Sequence, residues 1–287
     1  KTNCLPDELK SKYSQSPSGF PVISSKSIDL HSIHKSPLSV KVGKVAMLNW
    51  LPNFISIKAK LKKVGAYVTQ VGQRLSFHPG PFNVLASPNE NVVLKTIKEL
   101  DDHSTQMDLM GLPVSPMAKI NIHVGGAYGE HDKALARFCK NFKRLSKNAQ
   151  ARLTVENDDK ATMYSVVDLY EGVYKTIGIP IVFDYHHHKF CTGDLSEQEA
   201  LELAISTWPK DITPIVHYSE SKMLHEGNEK LKPQAHSDYI NDLPDTYGND
   251  VDIMVEAKAK ELSILPFVNS NKCEYSGLLR TSSYETL

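Results

Sequence analysis

Short apolar runs recur along this chain, and each closes on a histidine or a carboxylate. Six occur: residues 74–78 ending on His78, 119–123 on His123, 152–156 on Glu156, 181–184 on Asp184, 214–217 on His217 and 251–256 on Glu256. They are rich in Val, Ile and Phe, the side chains that suit a packed strand. Turn chemistry follows several of the polar residues, as in Pro79-Gly80, Gly125-Gly126 and Asn157-Asp158. Between the runs the period changes to helical. Residues 89–111 place Val92, Val93, Ile97, Leu100, Met107 and Leu109 near a 3.6-residue repeat that Gly111 ends. Residues 131–146 repeat Leu135, Phe138, Phe142 and Leu145, and residues 161–177 read as a helix closed by Gly178. Ser196-Glu197-Gln198-Glu199 is a capping box opening Ala200 to Ile205, and residues 54–71 form the helix before the His78 run.

Six strand–helix units in alternation predict an α/β protein with a parallel sheet, a TIM (β/α)8 barrel. Two further strands must come from residues 1 to about 65. There, Phe20 to Ser25 suits a strand and Val45 to Leu48 is a short apolar patch, but residues 14–39 are rich in Ser, Pro, His and Lys. The expectation is therefore one barrel domain over residues 1–287, poorly defined over 1–50 and irregular or incomplete at its N-terminal end.

Composition narrows the classes. A chain of 287 residues with 40% hydrophobic content can bury a full core. No apolar run approaches the roughly 20 residues that span a bilayer. Lys1 to Pro6 lacks the apolar centre of a signal peptide, so a cytoplasmic location is expected. Cys4, Cys139, Cys191 and Cys273 are widely separated, without CxxC spacing, and are expected to be reduced thiols. A formal net charge of zero excludes a protein that coats nucleic acid through bulk charge, so any such footprint is local.

The closing residues carry the chemistry. A barrel exposes reactive groups at the C-terminal ends of its strands. A lone histidine after a strand is usually a satisfied core or surface residue. Here His78, His123, His187, His217 and His236 combine with Glu156, Asp184 and Glu256 at convergent positions. Asp184 and His187 leave one strand end toward the same ion, while alternation turns His186 and His188 elsewhere. Imidazole and carboxylate without thiolate suit Zn²⁺, Mn²⁺, Fe²⁺ or Co²⁺. Eight donors exceed one tetrahedral ion and suit two or three, an arrangement fitted to phosphoryl chemistry.

The same residues resemble a known family. Phe77-His78-Pro79-Gly80, Ile122-His123-Val124-Gly125-Gly126, Val155-Glu156-Asn157-Asp158-Asp159, Phe183-Asp184-Tyr185-His186-His187, His217-Tyr218-Ser219, His236-Ser237-Asp238-Tyr239 and Glu256-Ala257-Lys258-Ala259-Lys260-Glu261 are similar, in order, to the motifs of the UV damage endonucleases. The likeness runs from about Leu51 to Leu265. It implies a TIM barrel related to the metal-dependent apurinic endonucleases, nicking duplex DNA immediately 5′ of ultraviolet photoproducts. It implies His78, His123, Glu156, Asp184, His187, His217, His236 and Glu256 as ligands of up to three ions. Manganese is the favoured activator and Glu156 a bridge, with Glu156, Asp184, His217 and Glu256 central to catalysis. Damaged double-stranded DNA is the implied partner, and a monomer is expected.

Three positions depart from the better-known members. The glutamine after His-Pro-Gly, proposed to probe the lesion, is Pro81 here. The lysine two residues before the His217 position is Ile215, so one influence on the ions' charge is expected to be missing. The family's N-terminal strand and probing tyrosine have no clear counterpart in residues 1–50.

For DNA contacts, Lys258 and Lys260 stand just beyond Glu256 and suit phosphates. Tyr185 and Phe82 suit either base stacking or core and rim packing. Lys58 to Lys63 and Lys140 to Arg144 read as solvated faces of outer helices. Two rivals remain: a metal-dependent sugar isomerase on a similar barrel, and a non-catalytic lesion-binding protein that keeps the fold.

Overall fold

Parallel pairing links the six runs in their sequence order. The computed structural model describes residues 53–269. The segments at 20–25 and 45–48, Cys4 and Cys273 lie outside the described residues. Strand β1 (Ile120–Ile122) pairs in parallel with β2 (Leu153–Glu156), which pairs in parallel with β3 (Ile181–Val182). Strand β4 (Ile215–Tyr218) pairs in parallel with β5 (Asp252–Val255). Two isolated parallel bridges complete the series. Phe77 with Ile120 adds the His78 run to one edge, and Asp184 with His217 joins the end of β3 to β4. The Arg74 guanidinium donates to the Thr213 carbonyl at 2.6 Å and to Asp252 at 2.6 Å, and also to the Pro116 carbonyl at 3.2 Å. One side chain thus ties the lower ends of the first and last described strands, and the sheet curls as in a TIM barrel.

The first two strands are buried throughout, and β5 is half-buried. Below the strand tops, Val182, Trp208 and Ile215 form an apolar layer, with the Trp208 indole donating to the Ile181 carbonyl at 2.7 Å.

Helices cover the outside. Helix α1 (Phe54–Gln70) and α2 (Glu90–Met110) match the sequence expectation, and Asn89 caps α2 by accepting from the Asn91 amide. Gly111 ends it with φ of 76°. Helix α3 (His131–Phe142) stops short of the expected Ser146. Ser146 instead caps a helix not anticipated from sequence, α4 (Lys147–Arg152), by accepting from the Ala149 amide. The helix expected over 161–177 begins late, as α5 (Val166–Leu169), followed by a π-helical turn at Tyr170–Tyr174 and a last turn at Lys175–Ile177. The reason is a capping box at Ser165 and Asp168, which outcompetes an earlier start. Residues 161–164 form a turn whose Tyr164 carbonyl accepts from the Asp158 amide at 2.9 Å.

After β3 the chain turns at once into a short helix, α6 (Tyr185–His188), capped by Asp184, whose Oδ1 accepts from the His187 amide at 2.8 Å. This corrects the alternation expected at His186 and His188. Both are buried, and His186 packs edge-on to His236 with ring centroids 5.4 Å apart. Helix α7 (Glu197–Ile205) carries the expected box at Ser196 and Glu199. Helices α8 (Lys222–Glu226) and α9 (Glu261–Asn269) complete the series. No helix among the described residues is long and apolar enough to cross a membrane. Cys139 and Cys191 are buried free thiols.

Candidate metal centre

The residues that close the strands converge at one end of the barrel around Glu156, which is fully buried. Its Oε2 lies 3.1 Å from Nδ1 of His217 and 3.3 Å from Nε2 of His78. Its Oε1 lies 3.4 Å from Nδ1 of His187 and 3.8 Å from Nε2 of His123. Glu256 reaches His217 Nδ1 at 3.2 Å through Oε1 and His236 Nδ1 at 3.7 Å through Oε2. Asp184 Oδ2 is 3.9 Å from His187 Nε2.

Three overlapping donor groups result: His78, His123 and Glu156; His78, His217 and Glu256; Glu156, Asp184 and His217, with donor atoms in each within 4.8 Å of one another. His187 and His236 stand beside these groups. Glu156 Oε1 and Asp184 Oδ2 are buried without a hydrogen-bond donor, which is costly for a carboxylate oxygen unless a cation satisfies it. The donor set therefore fits divalent ions.

Orientation of the rings sorts the histidines. Nδ1 of His78 faces the Pro79 carbonyl at 3.3 Å, and that of His123 faces Asp158 Oδ1 at 3.2 Å. Nδ1 of His187 faces the Asn157 carbonyl at 2.9 Å, and that of His236 the Glu256 carbonyl at 3.2 Å. An acceptor at Nδ1 holds the proton there and leaves Nε2 as the lone-pair donor. His217 is reversed. Its Nδ1 points at the two glutamates, and its Nε2 lies 3.1 Å from Nζ of Lys119.

Lys119 is the functional candidate that sequence reasoning missed, and it is fully buried. Burial pushes its pKa down to about 8, against the pull of Glu156 and Glu256. The expectation that no lysine stands near the site, drawn from Ile215, is thereby corrected: an amine reaches His217 from a different strand run. Ile215 packs in the apolar layer below. Asn121 was missed as well. Its amide donates to Glu156 Oε2 and its carbonyl oxygen accepts from Thr154 Oγ1 at 2.8 Å. Period two on the run 119–123 places Lys119, Asn121 and His123 on one face, and that was the available signal.

One tripeptide frames the centre. Glu156 supplies the central carboxylate. The Asn157 side chain pairs with the Asp184 backbone, donating to its carbonyl at 3.0 Å and accepting from its amide at 2.8 Å, so β2 and β3 end in register. Asp158 orients His123.

Charge balance follows burial and pairing. Burial alone would raise Glu156, but His217 and His123 outweigh it and hold the carboxyl well below its usual range. Burial would lower His123 and His217, yet Glu156 above all raises them to about 10 and about 9. Glu256 is likewise raised by burial and lowered more by His217, to about 2. Asp184 is raised by burial. Without ions His123 and His217 hold protons against the carboxylates. Divalent ions held there would have to displace those protons, so their affinity would rise with pH.

The candidate DNA contacts separate clearly. Phe82 is 88% exposed on the turn after His78, next to exposed Pro81. Lys258 and Lys260 are exposed beyond Glu256, on a loop whose Lys258 amide donates to the Ser237 carbonyl at 3.2 Å. Tyr185 is 1% exposed, donates its hydroxyl to the Asp245 carbonyl at 2.9 Å and packs edge-on to Phe183. It is a core residue and cannot stack on a base, which settles the alternative left open in the sequence. Lys58, Lys60, Lys62, Lys63, Lys140 and Lys143 are exposed on α1 and around the end of α3, as solvated faces should be.

A profile described as UV-endonuclease UvdE matches residues 44–285. A protein of Bacillus thuringiensis subsp. konkukian named UV DNA damage endonuclease is 33% identical over 231 residues, covering 77% of this chain and 69% of that protein. One of the same name from Clostridium perfringens is 32% identical over 241 residues, covering 83% and 56%. The crystal structure of SacUVDE superposes with a TM-score of 0.65 at 35% identity, over 76% of this chain and 71% of that one.

Proposed function

The chain belongs to the UV-endonuclease UvdE family, and from that premise we propose a metal-dependent DNA-repair endonuclease. It hydrolyses the phosphodiester immediately 5′ of ultraviolet photoproducts and other distorting lesions in duplex DNA. The observation that carries the reading is the placement of Glu156, a fully buried carboxylate with His78 and His217 beside one oxygen and His123 and His187 beside the other. That division suits a carboxylate bridging two ions.

His78, His123, Glu156, Asp184, His187, His217, His236 and Glu256 hold two or three ions, Mn²⁺ foremost, with Zn²⁺, Co²⁺ or Fe²⁺ compatible with the donors. Bound ions supply Lewis acidity toward a phosphate oxygen and lower the pKa of water. The chain's own residues do the rest. Glu156, Asp184, His217 and Glu256 fix the donor geometry. Asp158 and the Pro79, Asn157 and Glu256 carbonyls lock the imidazole tautomers. Lys258 and Lys260 meet backbone phosphates, while Pro81 and Phe82 press on the duplex. The chain works as one barrel domain and as a monomer.

Irradiated supercoiled plasmid with added Mn²⁺ tests the reading. Nicking should require both irradiation and metal and should stop with EDTA. Nicking that survives chelation, or that ignores irradiation, overturns it.

A further inference from the structure

Beyond His123 the chain leaves the active end of the barrel in a tight loop, residues 124–130. Gly125, at φ of 99°, leaves no room for a side chain, because a Cβ there would stand 2.3 Å from Val84 Cγ1. The loop is therefore pressed against the turn that presents Phe82. Arg137 on α3 reinforces the contact by donating from Nε to the Ala86 carbonyl at 2.8 Å.

Tyr128 sits at the top of this loop in a left-handed conformation, φ 53°. A tyrosine adopts that region only under constraint, and such strain persists mainly where a function needs it. Its ring lies over Gly126, where even a Cβ would come within 3.3 Å of Cζ, and the Arg137 guanidinium lies 5.7 Å from the ring centroid. Despite these supports, 47% of the residue remains exposed. A core aromatic gains nothing from such a placement. An exposed aromatic plane held by Gly126 and Arg137, on the loop that leaves His123, has the chemistry of a platform for a planar ligand.

We propose that Tyr128 is a base-stacking contact for a nucleobase flanking the lesion, with Arg137 as its positioning residue. Resting on the endonuclease reading, the assignment makes Tyr128 and Phe82 two aromatic contacts on adjoining loops. Stacking needs the ring and not the hydroxyl.

Tyr128→Phe and Tyr128→Gly should be compared with wild type on a duplex carrying one cyclobutane dimer. The readouts are the Kd by fluorescence anisotropy in EDTA, the single-turnover nicking rate at saturating DNA, and Tm. Tyr128→Gly should weaken binding about tenfold, within the range for loss of one base–aromatic stack. Its saturated rate should stay within about threefold, and its Tm should be unchanged or higher, because glycine adopts the left-handed region without strain. Tyr128→Phe should bind within about twofold of wild type. Wild-type affinity in the glycine variant, equal loss in both variants, or affinity and Tm falling together would each overturn the stacking role. Failure of wild type to nick the damaged duplex would instead overturn the endonuclease reading, and this assignment with it.

Discussion

Replacing one oxygen of Glu156 by an amide tests the bridge directly. In Glu156→Gln the side chain keeps its shape but loses its charge, and one of its two terminal atoms becomes a donor. If the NH₂ takes the Oε2 place, it confronts the Asn121 amide and has His217 Nδ1 at 3.1 Å and His78 Nε2 at 3.3 Å. In the Oε1 place it stands 3.4 Å from His187 Nδ1 and 3.8 Å from His123 Nε2. Neither orientation leaves an anionic oxygen, and only one side of the group can still accept. Glu156 belongs to two of the three donor groups, so only His78, His217 and Glu256 survive intact. Bound metal should fall by at least one ion per chain, read by metal analysis after desalting. Removing one preorganised charge contact typically costs about 3–4 kcal/mol of transition-state stabilisation, about 10²–10³ in rate. Losing an ion adds to that, so nicking of irradiated plasmid should drop at least about a thousandfold. DNA affinity should change by less than about threefold, because Phe82, Lys258 and Lys260 are untouched. A variant that nicks within about tenfold of wild type, or keeps its full metal complement, refutes the bridging role.

Other residues around the centre make separable predictions. Asp158→Ala frees His123 Nδ1, now 3.2 Å from the carboxylate, and should lower metal affinity by about 10–100-fold by calorimetry; an unchanged isotherm would remove Asp158 from the site. Lys119 lowers the pKa of His217 through its charge, so Lys119→Met should let His217 keep its proton to higher pH. Ions then compete with that proton over a wider range, and the acid limb of the Mn²⁺-dependent nicking profile should move upward; superimposable profiles would show the amine to be silent. Pro81 has no side-chain donor or acceptor, so selectivity should follow how readily the duplex kinks. Cyclobutane dimers, 6-4 photoproducts and abasic sites should all be nicked to some degree, with Pro81→Gln shifting the order. Cleavage of one photoproduct alone, unaltered by Pro81→Gln, would deny the turn that role.

The elements most legible in the sequence are those specified locally. Asn89 and Gly111 bracket α2, and Ser196 with Glu199 opens α7, because a cap depends on residues within one turn. The strand ends were legible because a β-rich run closed by His or Glu needs no distant partner to be recognised. Errors arose where two local signals competed. Ser165 and Asp168 delayed a helix that periodicity began at 161, and Ser146, expected as the last residue of one helix, opened α4 instead. Tyr185 and its histidines looked like strand, but Asp184 capped them into a helical turn that points Tyr185 into the core.

Which residues bear the chemistry, and along which strands they lie, is written in the chain itself: apolar runs, their polar ends and ordered motifs survive without any knowledge of contacts. What the polar ends do to one another is not. That Glu156 divides four histidines between its oxygens, that His217 sets Nδ1 between two glutamates, and that the lysine beside it is Lys119 depend on where separate strands place their side chains. Ring orientation depends on distances of a few ångströms between groups far apart in sequence. The runs ending at His123, Glu156 and His217 are held at those distances by the pairing of separate strands above the apolar layer of Val182, Trp208 and Ile215.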